Sequence, residues 1–175
     1  FWEYRARRIS SVEEVITSLG MTIVGALPAM PDRPRRKLGG PSGKSVEERW
    51  QKLLVESVDA MRTMLLHASR VESLRVVMVT SAGQGEGKTS LAGHLATSLA
   101  RAGRNTLLVD CDIRRPTIHR LFDEPIDPGL CELLRGDIST LDVIRQGPTP
   151  DLSIVTAGRH DELAQQMLGQ DRVRS

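Results

Sequence analysis

Ala82-Gly83-Gln84-Gly85-Glu86-Gly87-Lys88-Thr89 is the stretch whose residue types and spacing most directly specify chemistry. It has the form of a Walker A loop with alanine in the first position. Gly83, Gly85 and Gly87 let successive backbone N–H groups turn inward and approach phosphate oxygens. A helix opening at Lys88 adds its own free N–H groups and dipole to the anion site. Lys88 brings a cation to the β- and γ-phosphates, and Thr89 supplies a hydroxyl to Mg2+. The candidate nucleotide-binding residues are therefore Gly83, Gln84, Gly85, Glu86, Gly87, Lys88, Thr89 and Ser90. A dinucleotide site would want GxGxxG, and Gly83-x-Gly85-x-Gly87 has the wrong third spacing.

A second constellation follows in Leu107-Leu108-Val109-Asp110-Cys111-Asp112-Ile113-Arg114-Arg115-Pro116. Two carboxylates two residues apart sit at the carboxyl end of an expected strand, the edge where open α/β sheets bind ligands. They are placed to hold Mg2+ through water and to accept a proton from an incoming hydroxyl. A solvated β-turn carrying charged residues is the other reading of the pair.

The elements that must position these residues are legible as patterns. Val76-Val77-Met78-Val79 is a continuous apolar run ahead of the loop, the pattern of a strand buried on both faces. A helix is expected from Lys88 to about Ala102, closed by Gly103. Thr106–Val109 reads as a second strand and Leu152–Val155 as a weaker third. Gly129–Arg135, Leu141–Arg145 and Glu162–Leu168 are short helix candidates. Strand, glycine loop, helix and strand make the βαβ rhythm of an α/β fold with a parallel sheet flanked by helices. Upstream, Ser11 and Glu14 have capping-box spacing for a helix to Leu19, ended by Gly20. Met21–Leu27 suits an extended stretch. Pro28, Pro31, Pro34, Gly39, Gly40, Pro41 and Gly43 mark a linker. Ser45 and Glu48 repeat the capping spacing before a helix to about Ala68, with an apolar stripe of Leu53, Leu54, Ser57, Val58, Met61, Met64 and Leu65.

Composition bounds the function classes. The 175 residues are 39% hydrophobic and 26% charged, an ordinary globular balance. Aromatics make up 3%, so the core must be aliphatic and stacking platforms for single-stranded nucleic acid are not expected. A net charge of +2 is too small to argue for nucleic acid. Cys111 and Cys131 have no CxxC or Cys/His spacing, so a disulfide scaffold or a structural zinc site is not expected. Residues 1–45 hold eight Lys/Arg against four Asp/Glu, so the basic character belongs to the N-terminal segment.

Thr80-Ser-Ala-Gly-Gln-Gly-Glu-Gly-Lys-Thr-Ser90 followed by Leu107–Pro116 resembles the paired motifs of the bacterial tyrosine kinases, P-loop proteins that regulate export of exopolysaccharide and capsule. Asp110, Asp112 and Arg114 match the family's second motif, hhhDxDxR, called Walker A′. Arg115-Pro116, His119, Phe122, Gly129-Leu130 and Leu133-Leu134-x-Gly136 resemble the run after it, and Glu56–Leu65 resembles the helix before the first strand. The likeness covers about residues 46–168. Arg8–Pro28, ending Val24-Gly25-Ala26-Leu27-Pro28, resembles the segment after the second transmembrane helix of polysaccharide co-polymerases. Phe1, Trp2 and Tyr4 beside Arg5, Arg7 and Arg8 would then be an interfacial anchor with positive-inside charge; a frayed amphipathic terminus is the other reading. The family's ExxRxxR appears here as Glu56-x-x-Asp59-x-x-Arg62, with an acid in the middle place.

The resemblance implies three parts: a juxtamembrane segment (1–28), a linker (29–45) and the N-terminal part of a P-loop kinase domain (46–175). The Walker B strand and the tyrosine cluster are expected beyond Ser175, so this piece alone is expected to be inactive. ATP and Mg2+ are the implied cofactors. Lys88, Asp110 and Asp112 are the implied catalytic residues, with Thr89 and Asp112 at the metal and Asp110 orienting or deprotonating a tyrosine hydroxyl. Implied partners are further copies of the chain, phosphorylated in trans, a co-polymerase transmembrane domain in the same or a partner chain, and a tyrosine phosphatase. The implied location is the cytoplasmic face of the bacterial inner membrane. Two rivals are a partition- or division-type ATPase, which usually carries a second lysine where Gly83 stands, and a non-catalytic nucleotide-gated regulator of polysaccharide chain length.

Overall fold

The computed structural model describes residues 11–29, 41–160 and 162–167. The proposed anchor at Phe1–Arg8, most of the linker and the chain after Met167 lie outside them. The chain divides into two compact units, Phe1–Leu74 and Arg75–Ser175.

In the first unit, α1 spans Val12–Leu19, and Ser11 Oγ accepts the Glu14 N–H at 3.2 Å, the cap that the spacing predicts. Residues 20–29 form no regular element. Trp50 Nε1 donates to the Ala29 carbonyl at 3.0 Å, and Gly25 lies so close to Met61 that a Cβ there would overlap its Cγ. The long helix, α2, spans Pro41–Glu72 and so begins four residues before Ser45. Its first residue is a proline, which costs a helix nothing there because that N–H has no intrahelical partner. The linker therefore ends sooner than 45, and Gly43 is helical. The buried side of α2 is Leu54, Val58 and Met61, narrower than the predicted stripe, with Leu53 and Met64 exposed. Among the described residues no helix is long and apolar enough to cross a membrane.

The second unit carries the α/β fold. Its helices are α3 (Lys88–Arg101), α4 (Ile118–Leu121), α5 (Leu130–Arg135), α6 (Thr140–Val143) and α7 (Glu162–Met167), and its strands are β1 (Thr106–Val109), β2 (Arg145–Gln146) and β3 (Leu152–Val155). The sheet order is β1-β3-β2. β1 and β3 are parallel, with Thr106 opposite Leu152 and Val109 opposite Val155. β2 is antiparallel to β3, an addition to the parallel arrangement that the sequence rhythm implies. Ala96 and Ala100 of α3 pack on Leu108, Leu152 and Ile154 of the sheet and on Ile118 of α4, with Ala92 and Phe122 against them. Alanine on the inner face lets α3 lie close over the strands.

The strand expected at Val76–Val79 is not in this sheet. The run is irregular, with Val76 81% and Met78 83% exposed. β1 is bonded to β3 on one side and has its other edge at the margin of the sheet. Among the described residues none pairs with that edge of β1, so Val76–Val79 has no ladder to join. A buried strand is made by its neighbours, and an apolar run specifies the need for them without supplying them.

Past β3, Thr156, Ala157 and Gly158 are buried and receive the start of α5. Leu130 and Cys131 N–H groups donate to the Thr156 and Ala157 carbonyls at 2.8 and 2.9 Å. Glu132 ties the corner. Its carboxylate accepts from Gly129 N–H at 2.8 Å, Arg159 N–H at 3.0 Å and Arg135 Nη2 at 3.1 Å. Burial pushes its pKa up, but the N–H groups of Arg159 and Gly129, its own amide and Arg135 outweigh that and hold it below the ordinary 4.5.

A Cβ at Gly129 would overlap the backbone of Thr156 and Gly158, which has no side-chain freedom to yield. Gly129→Ala is expected to lose about 1–3 kcal/mol in urea unfolding, and an unchanged midpoint would contradict this packing. Glu132 binds fewer protons folded than unfolded near its titration. Its contribution is therefore complete above the ordinary value of 4.5 and is lost as pH falls through the lower folded value. Glu132→Gln is expected to lower stability near neutral pH and to flatten the acid limb of the stability profile.

Candidate functional site

The loop Ala82–Gly87 leads directly into α3, and the Leu91 N–H closes the first helical turn on the Gly87 carbonyl at 2.9 Å. Gly85 and Gly87 have φ of +79° and +84°, left-handed conformations that side chains with a Cβ resist. Lys88 is the first residue of α3, and its ammonium is held by Ser81 Oγ and the Gly83 carbonyl, each at 3.0 Å. Ser81 Oγ also donates to the Gly83 carbonyl at 2.8 Å. On the other side of the same residue, the Gly83 N–H donates to Glu86 Oε2 at 3.0 Å. Gly83 is thus gripped at both ends. The Gly83 N–H, then the Ser81 hydroxyl and the Lys88 charge hold the Glu86 carboxyl below its ordinary range. Gln84 and Ser90 are exposed.

The acidic pair lies beyond β1, whose ladder continues as the Asp110 N–H donates to the Val155 carbonyl at 2.9 Å. The two carboxylates then behave differently. Asp110 is 6% exposed and both its oxygens are engaged. Oδ1 accepts the Asp112 N–H at 3.1 Å, and Oδ2 accepts the N–H groups of Thr117 and Ile118 at 3.1 and 3.0 Å. Asp112 is exposed. Its Oδ1 accepts the Arg115 N–H at 3.1 Å, and its Oδ2 has no partner among the described residues. Between them Cys111 is exposed as a residue while its thiol is partly covered, and that partial burial followed by the Asp110 charge pushes its pKa up, against thiolate chemistry.

The two motifs meet through a residue that the sequence reasoning missed. Thr117 Oγ1 donates to Thr89 Oγ1 at 2.8 Å. Thr117 carries one local signal, its place just before α4, where a threonine is a common cap. Nothing local announces a partner 28 residues away. Lys88 makes no hydrogen bond or ion pair with either aspartate among the described residues.

Residues 77–168 match the family model of the CobQ/CobB/MinD/ParA nucleotide binding domain. The chain belongs to this family. It is 29% identical over 123 residues to the tyrosine-protein kinase ptk of Acinetobacter johnsonii, covering 70% of this chain and 17% of the relative. It is 34% identical over 103 residues to the tyrosine-protein kinase YwqD of Bacillus subtilis, covering 59% of this chain and 44% of the relative. Among solved structures, the BceF tyrosine kinase domain is similar with a TM-score of 0.74 at 25% identity, covering 94% of this chain and 69% of that one. The resemblance to bacterial tyrosine kinases read from the two motifs is borne out by these relatives. The chain spans well under two thirds of the length of either sequence relative.

The Asp110 geometry generates a discriminating prediction. Asparagine would keep one acceptor but lose the charge on bonds that are each worth about 1.5–3 kcal/mol. In the intact protein, Asp110→Asn is expected to lower thermal stability and phosphoryl transfer together. Loss of transfer with an unchanged melt would instead make Asp110 a group acting on substrate.

Proposed function

We propose that this chain is the ATP-binding part of a bacterial protein-tyrosine kinase, one that phosphorylates copies of itself and regulates polymerisation and export of exopolysaccharide or capsule. The observation that carries the reading is the joining of the two motifs. Lys88 is set between Gly83 and Ser81, and its neighbour Thr89 is bonded to the segment that Asp110 organises. Loop and acidic pair form one site at one end of α3.

A nucleoside triphosphate would lay its phosphates against the amides from Gly85 to Thr89. Moving onto the β- and γ-oxygens, the Lys88 ammonium would stabilise charge that spreads during transfer, which is most of what such catalysis requires. The donors here suit Mg2+, a hard cation that takes one or two protein oxygens and the rest from phosphates and water. Thr89 offers a hydroxyl and Asp112 an open carboxylate oxygen. Among the described residues no group of three His, Cys, Asp or Glu would hold an ion alone. When bound, the ion neutralises phosphate charge.

The resemblance assigns Asp110 to the tyrosine proton. The geometry supports another division, in which Asp110 positions the turn and Asp112, open on one oxygen, serves the metal and the incoming hydroxyl. Gly83, where partition-type ATPases usually carry lysine, supports the kinase reading over theirs. Family resemblance extends it to a co-polymerase membrane partner, an opposing phosphatase and the inner membrane's cytoplasmic face.

Lys88→Met in the intact protein is expected to weaken ATP binding at least tenfold, about 1.4 kcal/mol, and to abolish tyrosine phosphorylation. Calorimetry and a phosphotyrosine assay check this. Equal ATP affinity in variant and parent would overturn the assignment of the loop.

A further inference from the structure

Thr117 stands where a threonine ordinarily turns its hydroxyl back to bond the N–H groups of the helix it precedes. Here it makes no such bond. Asp110, reaching from the end of β1, takes the Thr117 and Ile118 N–H groups instead. The cap is supplied from a distance, and the Thr117 hydroxyl is released to reach Thr89 at 2.8 Å. The approach is built into the packing of α4 on α3. Ile118 is buried against Ala96 and Ala100, and Leu121 and Phe122 close over Gly93, where a Cβ would collide with Leu121. Asp110 and Gly93 thus set the distance between two hydroxyls on different elements.

A hydroxyl has one proton and two lone pairs. If Thr89 gives a lone pair to a cation, its proton needs an acceptor on the side away from that cation. A cation-bound hydroxyl is also a stronger donor than a free one. Thr117 Oγ1 is already at hydrogen-bond distance and can serve either way by rotating its own proton.

We propose, resting on the nucleotide reading above, that Thr117 is a positioning residue for the metal side of the loop. Its hydroxyl accepts the Thr89 proton when a divalent cation is bound and so aims the Thr89 lone pair at that cation. Asp110 acts through it by holding its backbone. No covalent step is involved; one hydrogen bond reverses direction.

The test is ADP binding by the intact protein, measured by calorimetry with Mg2+ and with EDTA. Thr117→Val keeps the shape and removes the acceptor. It is expected to leave ADP affinity in EDTA unchanged and to raise the Mg2+ concentration needed for tight ADP binding roughly fivefold to tenfold. Thr117→Ser, which restores the hydroxyl, is expected to recover the parental Mg2+ requirement. The metal-free affinity serves as the folding control. An unchanged Mg2+ requirement in Thr117→Val, with the parent showing Mg2+-enhanced binding, overturns this proposal alone. Equal loss with and without Mg2+, or no recovery in Thr117→Ser, also overturns it and makes Thr117 a packing residue. A parent that binds ADP under neither condition overturns the nucleotide reading along with it.

Discussion

The geometry of the site depends on one buried carboxylate. Asp110 gathers the N–H groups of Asp112, Thr117 and Ile118, and its own N–H is fixed by Val155 of β3. Register set in the sheet is thereby carried into the turn, from the turn into α4, and through Thr117 to the hydroxyl of Thr89. Buried charge is tolerated only where it is paired or fully hydrogen-bonded. The three amides meet that condition for Asp110, and Asp110 meets it for N–H groups that α4, at four residues, has no way to satisfy internally.

What the sequence could disclose follows from how local each determinant is. The Walker loop is legible because its glycines, Lys88 and Thr89 fall within a few residues of one another. α3, β1 and β3 are legible from continuous apolar or amphipathic runs. β2, with two residues, and α4, with four, are too short to carry a period. α2 starts earlier than the capping pattern at Ser45 places it, because proline and glycine punctuate loops on average, while a helix accepts proline in its first turn. Whether Val76–Val79 forms a strand depends on what it can pair with, and no window over those residues contains that. The Thr117–Thr89 bond is non-local in the same sense, since it requires Asp110 to have displaced Thr117 from capping.

The same non-locality explains why two aspartates two residues apart came to do different things. Along an extended strand, residues i and i+2 point to one face, so their spacing alone suggests a matched pair. The strand ends at Val109, however, and Asp110 accepts the N–H of Asp112 onto its own side chain. An aspartate that bonds the backbone two residues on bends the chain into an Asx-type turn. That turn breaks the alternation just where the pair would otherwise align, sending Asp110 inward and leaving Asp112 exposed. The inner carboxylate also steadies the outer one, because Asp110 holds the Asp112 backbone N–H. A short Asp-x-Asp at a strand end can thus supply both a buried brace and an exposed carboxylate, and which is which is decided by the amides within reach of each.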